Sequence, residues 1–476
     1  MESKLEKLLG LAQSLGASYA DARIVERSSE NIVMWNGAVE EVIGQSDRGL
    51  GVRVLVNGAW GFAATHDFAN GEWAVKQAIA IATQSARLIG QPVQLAEIPV
   101  IRDHWQSSYE IDPRTVSFEE RIALLKAADE QMARQPGITQ RKASMGFYFI
   151  DQLFASTEGA LIEQNSIESG AGIVALAADG NEVQFRSFPA SFQGDYGTAG
   201  YEKVLGNHLV EGAAQCAAEA VALLHAKPCK TGKTTLIIDD SLLTLMVHES
   251  IGHALEVDRV LGSEASYAGT SFATPEKLGN FAYGSPVVNI TADATLKGGL
   301  GSFGYDDEGA PAKRVDLIKD GILTNYLSSR ETAAQLNLPV SGTMRADGWQ
   351  RYPLVRMTNI NLEPGDSSLA EMISSTEDGY FIKTVKTYSI DDKRLNFEFA
   401  PEIAWEVKNG QVGAMVKNLR YSGITPNFWN ACDAVANASE WHLWGVPVCG
   451  KGEPSQIVHL GHGTAPARFQ DIQVGG

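Results

Sequence analysis

The chain has 476 residues, 44% of them hydrophobic, with ordinary glycine and proline content, so it is globular, with length for two or three domains and a large core. Its 39 basic and 57 acidic residues leave a net charge of −18, which argues against a surface built to grip the phosphate backbone of nucleic acid. No apolar run approaches the roughly 20 residues that span a bilayer, so no membrane partner is expected. Residues 1–7 lack the apolar segment of a signal peptide, and the four cysteines have no C-x-x-C pairing; both suit free thiols in a reducing, cytoplasmic compartment.

Helical periodicity runs through Leu5, Leu8, Leu9, Leu11, Ala12 and Leu15. Strand-like alternation over 19–26, a strand into a turn at Asn36-Gly37, and a hairpin on Asn57-Gly58 follow, then an amphipathic helix over about 71–88. Residues 91–115, with Pro92, Pro99 and Pro113, read as an irregular linker or strap. Ser117, with Glu120 three residues on, predicts a capped helix reaching Gln135. Strands over about 139–186 turn at Glu158-Gly159 and Asp179-Gly180-Asn181, and 202–224 reads as one long helix. The polar break at 227–233 marks the main boundary.

The expected organisation is an N-terminal α+β region over 1–226, with a first unit at about 1–90 and a second at about 115–226, followed by a C-terminal domain over 227–476. In that domain 234–238 is a short buried strand, and Asp239 or Asp240 caps a helix through Leu242, Leu245, Met246, His248 and Glu249. Beyond about 284 come short strands and glycine-rich turns, with a hairpin signal at Asn409-Gly410. The fold class is therefore α+β: long helices over antiparallel sheets, then a mostly β domain carrying this helix.

That helix holds the most informative stretch, His248-Glu249-Ser250-Ile251-Gly252-His253. Two imidazoles and a carboxylate are the parts of a catalytic zinc site: two ligands and a general base. The familiar H-E-x-x-H spacing sets its histidines four apart; here they are five apart, which separates them by roughly 140° on a regular helix rather than roughly 40°. They converge on one ion only if the helix bulges between them, and Gly252 sits where such a bulge would close the gap. Otherwise the segment is a helix with one buried and one exposed histidine.

A third ligand must come from elsewhere, and Cys449, followed by Gly450 and Gly452, is the best candidate; its other reading is an ordinary buried thiol. Glu249, about 100° around the helix from His248, lies where a base belongs rather than a ligand. Its bland reading is a solvated carboxylate. Residues 298–309 are rich in glycine and end in Asp306-Asp307-Glu308-Gly309. No Gly-Lys-Ser/Thr follows, so this is not a phosphate loop; it reads as a solvated turn or as a loop lining the site. His459 and His462 read as surface histidines, or as a group behind a ligand or an oxyanion donor. Trp429, Trp441 and Trp444 read as core.

Together these pieces resemble the TldD/PmbA family of zinc metallopeptidases. The resemblance rests on five motifs in order: Tyr19-Ala20-Asp21-Ala22-Arg23 with the glycine-rich strands up to Ala63; His248–His253; Asp306-Asp307-Glu308-Gly309; Arg356-Met357-Thr358-Asn359 followed by Pro364-Gly365; and Cys449-Gly450-Lys451. It implies one Zn2+ held by His248, His253 and Cys449, with Glu249 as catalytic base. It implies a peptide substrate, and a dimer, either of this chain or with an inactive PmbA/TldE-like subunit. It implies the active, TldD-like kind of subunit, because the metal motif is intact. After Lys451 this chain departs from the glycine-rich V-P-V-G-V-G-Q-P-like run of many TldD chains, reading Gly452-Glu453-Pro454-Ser455-Gln456 and on to His462. The expected activity is hydrolysis of short or unfolded peptides, with Asp306, Asp307, Glu308, Arg356, Asn359 and His462 shaping the substrate cleft. A non-enzymatic scaffold with structural zinc, and a zinc amidohydrolase acting on small molecules, are the rival readings.

Overall fold

The computed structural model describes residues 1–475. Tyr19–Trp35, Ala38–Val56, Ile138–Ser156 and Leu161–Asp179 form the spine of an antiparallel sheet. Asn36-Gly37 and Asn57-Gly58 take positive φ at both positions, 49° and 81°, then 49° and 78°, which is the turn whose twist matches the strands it joins. Helices Glu2–Ser14 and Gly71–Ser85 bury Leu5, Leu8, Leu9 and Ala12, and Ala74, Val75, Ala78 and Ala82, against one half of this sheet. Phe118–Ala133 and Leu209–His225 cover the other half, where Leu125, Ala128, Met132, Ala213 and Ala217 meet Ala143, Met145 and Ile173. Ser117 and Glu120 form the capping box, each side chain accepting from the other's backbone N–H at 3.2 and 3.1 Å.

Two expectations are corrected. The helix over 202–224 is two helices, Tyr201–Gly206 and Leu209–His225, broken where His208 takes φ 49°. The Asn207 amide, donating to the carbonyls of Ala171 and Asp195 at 2.8 Å each, ties the break to the sheet. Residues 91–115 are not wholly irregular: Arg102–Gln106 pairs in parallel with the strand from Leu161. Most of its side chains face solvent, so the stretch lacks the alternation by which a half-buried strand is recognised.

In the C-terminal half, Gly232–Ile238 pairs with Asp378–Ile390 and Ala467–Gly475. Arg420–Ile424 links Ala467–Gly475 to Asn396–Lys408, which pairs back onto Asp378–Ile390, so these five strands close into a ring. Phe397, Phe399, Tyr421, Phe428 and Phe469 pack ring on ring in its core, and Trp429 is fully buried beside them. With helices laid over antiparallel sheets in the first half and short strands dominating the second, the fold is α+β. Asp240–Val247 leaves the Gly232–Ile238 strand and packs on Asp378–Ile390 and on the hairpin His442–Lys451/Gln456–Thr464. This brings the metal motif of the helix and Cys449 of the hairpin to one place.

Candidate metal centre

The helix carrying the motif changes pitch where the spacing requires it. Asp240–Val247 is α-helical, His248–Gly252 widens to a π turn, and His253–Leu255 tightens to a 3-10 turn. Ser250 anchors the wide turn: its hydroxyl donates to the Met246 carbonyl at 2.5 Å and accepts from Trp429 Nε1 at 2.9 Å, while the Tyr283 hydroxyl donates to its carbonyl. Gly252 leaves room there for Met357, since a Cβ on it would lie 2.0 Å from Sδ of that side chain, which would have to move. The extra residue is absorbed in the turn, and both histidines end on the same side.

Cys449 Sγ lies 3.4 Å from His248 Nε2 and 3.6 Å from His253 Nε2, and the three donor atoms all fall within 4.8 Å of one another. A tetrahedral zinc with bonds of about 2.0–2.3 Å has donor–donor edges of about 3.3–3.6 Å, so the donor set fits that ion. The second nitrogens are committed elsewhere. His253 Nδ1 lies 2.8 Å from Glu256 Oε2. His248 Nδ1 lies 2.9 Å from His462 Nε2, and His462 Nδ1 lies 3.0 Å from the carbonyl of Ile360. A carbonyl only accepts, so His462 carries its proton on Nδ1, accepts from His248 Nδ1–H, and leaves the His248 Nε2 lone pair free. Glu256 orients His253 in the same way. His462 is thus fully buried behind a ligand, not on the surface.

Burial would push the Glu256 carboxyl upward, but Lys451 and the His253 imidazole outweigh it and hold it well below the usual carboxylate range. Lys451 is itself buried, 3.3 Å from Glu256, 2.7 Å from Asp258 and 3.5 Å from Glu264. The lysine of Cys449-Gly450-Lys451 is therefore the counter-charge for the carboxylates behind His253. Burial raises the Cys449 thiol, but His253 and Arg356 together bring it below the ordinary value, toward the thiolate a metal binds.

Glu249 is buried beside the two imidazoles rather than solvated, and is ion-paired to Arg394, with the Tyr388 hydroxyl close by. Its pKa is pushed up by burial and pulled down further by His248, His253 and Arg394, so the carboxylate is the stable form. Arg394 stands in the turn between Asp378–Ile390 and Asn396–Lys408. That turn is pinned by Thr270 and Phe272, whose N–H groups donate to Asp392 and Lys393 at 2.9 Å each. Tyr388, 46% exposed, marks the solvent side of the centre.

The other predicted residues brace this arrangement. Arg356 Nη2 donates to the Cys449 carbonyl at 2.6 Å. The Asn359 amide donates to Asp293 O and Ser302 Oγ and accepts from Gly301 N–H, fastening the glycine-rich segment to the strand beneath. Asp306 accepts from the backbone of Glu308, Ala310 and Met344. Asp307 meets Arg23 at 3.1 Å, and Glu308 meets Arg53 at 3.1 Å, so these acids join the two halves of the chain. Sequence reasoning missed Tyr388, Arg394 and Glu256. Only Glu256 left a signal, a carboxylate three residues after a metal-motif histidine.

Two buried histidines and a buried cysteine that converge on a bulged helix, with a carboxylate beside them, form an arrangement of the metallopeptidase type. Family models described as PmbA/TldA metallopeptidase match residues 20–82 as domain 1, 111–227 as central domain and 231–476 as C-terminal domain. The chain belongs to the PmbA/TldD metallopeptidase family. It is 31% identical over 467 residues to a metalloprotease of Methanocaldococcus jannaschii, covering 98% of both chains. It is 26% identical over 478 residues to a zinc metalloprotease TldD homolog of Saccharolobus solfataricus, covering 99% of both. Its fold resembles that of a Thermotoga maritima protein described as a modulator of a DNA gyrase, at TM-score 0.79, 19% identity and 99% coverage of both chains. TldE from Thermococcus kodakarensis has the same fold at TM-score 0.72 and 14% identity, over 99% of this chain and 100% of that one.

Proposed function

We propose that this chain is a zinc-dependent peptidase acting on short or unfolded peptides. One observation carries the reading: His248 Nε2, His253 Nε2 and Cys449 Sγ converge while the Glu249 carboxylate stands beside them, committed to no backbone cap. Zinc held by these three side chains would supply Lewis acidity to a water and to the scissile carbonyl. Glu249 accepts the proton of the attacking water and passes it to the leaving amine. Its low pKa keeps it ready to accept at neutral pH. Arg394 fixes its orientation. Asp306, Asp307, Glu308, Arg356 and Asn359 act by bracing the walls of the cleft, and His462 by orienting His248.

The partner reading is a dimer of two copies or a pair with a TldE-like subunit. Beyond the reach of Ala59–Thr65, residues 38–48 of Ala38–Val56 form an open edge on which Val39, Val42 and Ile43 are exposed. Such an edge favours a covering partner. No helix among the described residues is long and apolar enough to cross a membrane, and a cytoplasmic location accords with four free cysteines.

The deciding experiment measures zinc content and hydrolysis of an unfolded-peptide mixture for the unmodified chain and for Glu249→Gln. The reading requires about one zinc per chain in both and cleavage only in the first. Zinc without cleavage in the unmodified chain, alone and with a TldE-like subunit added, would leave a scaffold with structural zinc as the better account.

A further inference from the structure

A cleft of about 120 Å³ lies where the N-terminal sheet meets the C-terminal domain. Arg27, Ile150 and Glu168 line it from the sheet; Phe303, Arg345 and His459 line it from the other side. On Gln456–Thr464, His459 points away from the face that carries His462, because side chains alternate along a strand. The cleft therefore lies across the hairpin from Cys449, whose cross-strand partner is Val458.

Most charged side chains in this cleft are paired; Asp306, held by backbone N–H groups, and Arg345 are not. Arg27 meets Asp347 at 2.7 Å, His459 meets Glu168 at 2.6 Å, and Asp307 meets Arg23 at 3.1 Å. Arg345 forms no ion pair among the described residues. Its Nη1 donates to the carbonyls of Met357 and His459, at 3.0 and 2.7 Å, and its guanidinium lies 5.5 Å from the centre of the Phe303 ring. The donors on Nε and Nη2 have no protein acceptor, and neither atom is sealed from solvent. Holding a partly buried guanidinium by one nitrogen presents the rest of its fork to a ligand.

We propose that this cleft binds the α-carboxylate at the C-terminus of a peptide through the free fork of Arg345. The inference rests on the peptidase reading for the class of ligand, and adds the end by which the peptide is held. A carboxylate matches a guanidinium edge with two parallel hydrogen bonds and one negative charge. A phosphate dianion would meet Glu168 and Asp307 close by, with one cation to answer two charges. Phe303, Ile150 and Ile457 offer apolar walls for the terminal side chain.

The test uses zinc-loaded Glu249→Gln protein, in which turnover is blocked, and calorimetry with acetyl-Ala-Ala-Phe as free acid, the same peptide as its amide, and free phenylalanine. The acid should bind at least about tenfold more tightly than either. In Arg345→Gln that preference should vanish while amide affinity and zinc content stay unchanged, and Arg345→Lys should restore part of it. Equal binding of acid and amide overturns the proposal whatever becomes of the variants, and so does a preference that survives Arg345→Gln. Phenylalanine binding as tightly as the peptide overturns the peptide as occupant. If Arg345→Gln does not fold, Ile150→Trp, which fills the cleft from the sheet side, should abolish the preference; its persistence there sinks the assignment. Cleavage of free-acid and amidated peptides with equal KM would remove this inference and leave the peptidase reading standing. A carboxylate preference in a chain that cleaves nothing would do the reverse.

Discussion

His462 stands 2.9 Å behind His248, and its own Nδ1 lies 3.0 Å from the carbonyl of Ile360, so one backbone oxygen sets the tautomer of two imidazoles in series. His462→Ala removes the acceptor that keeps the His248 proton on Nδ1. Zinc affinity should fall by about 10–100-fold, the usual cost of losing such a partner. Competition against a chromophoric chelator reads this directly; undiminished affinity would mean that His248 needs no orienting partner.

Lys451 is the cation set among Glu256, Asp258 and Glu264. Lys451→Met keeps the volume and removes the charge, leaving buried carboxylates uncompensated. A loss of about 3–5 kcal/mol in denaturant unfolding is expected. Zinc binding should weaken with it, because Glu256 orients His253. A variant as stable as the parent would show that these acids fold protonated.

Arg394 acts on Glu249 through charge. Burial raises the carboxyl, and His248, His253 and Arg394 together lower it; removing one of these cations lets it rise. A base works only when deprotonated, so the acid limb of the kcat/KM profile should move to higher pH in Arg394→Gln, with the plateau above it reduced less. An unmoved limb would exclude Glu249 as the titrating group or Arg394 as its neighbour.

Asp195 connects the two halves of the chain, accepting from Lys203 at 2.5 Å, from Gly445 N–H at 2.9 Å, and meeting His442 Nε2 at 3.0 Å. Burial raises its pKa, but Lys203 and His442 outweigh this and the folded value lies below the unfolded one. The stability it contributes is therefore present above the unfolded pKa of about 3.9 and is lost as pH falls through the folded value. Asp195→Asn should lower Tm at pH 7 and flatten its decline below about pH 4. Thermal melts from pH 3 to 7 compare the two slopes; parallel slopes would count against the linkage.

What was legible in the sequence follows from how local each signal is. The turns at Asn36-Gly37, Asn57-Gly58 and Asn409-Gly410 and the capping box of Ser117 and Glu120 depend on neighbours along the chain, and all are present. The break at Asn207-His208 depends on carbonyls supplied by another strand, so a continuous helical pattern hid it. At the centre, His248, Glu249 and His253 lie in one motif, and Cys449 entered through the glycines that follow it. Arg394 and Tyr388 reach Glu249 from a distant hairpin, carried there by the closing of a strand ring that no local pattern encodes.

The contact between Gly252 and Met357 has a consequence for how such chains diversify. A Cβ at 252 would overlap the sulfur at 357, so the glycine of the first motif and the methionine of Arg356-Met357-Thr358-Asn359 are complementary halves of one steric fit. Alanine at 252 would press on the Met357 side chain, which would have to move or give way to a smaller one for the wide turn that brings the histidines together to persist. The two stretches, more than a hundred residues apart in the chain, thus set each other's size at one contact.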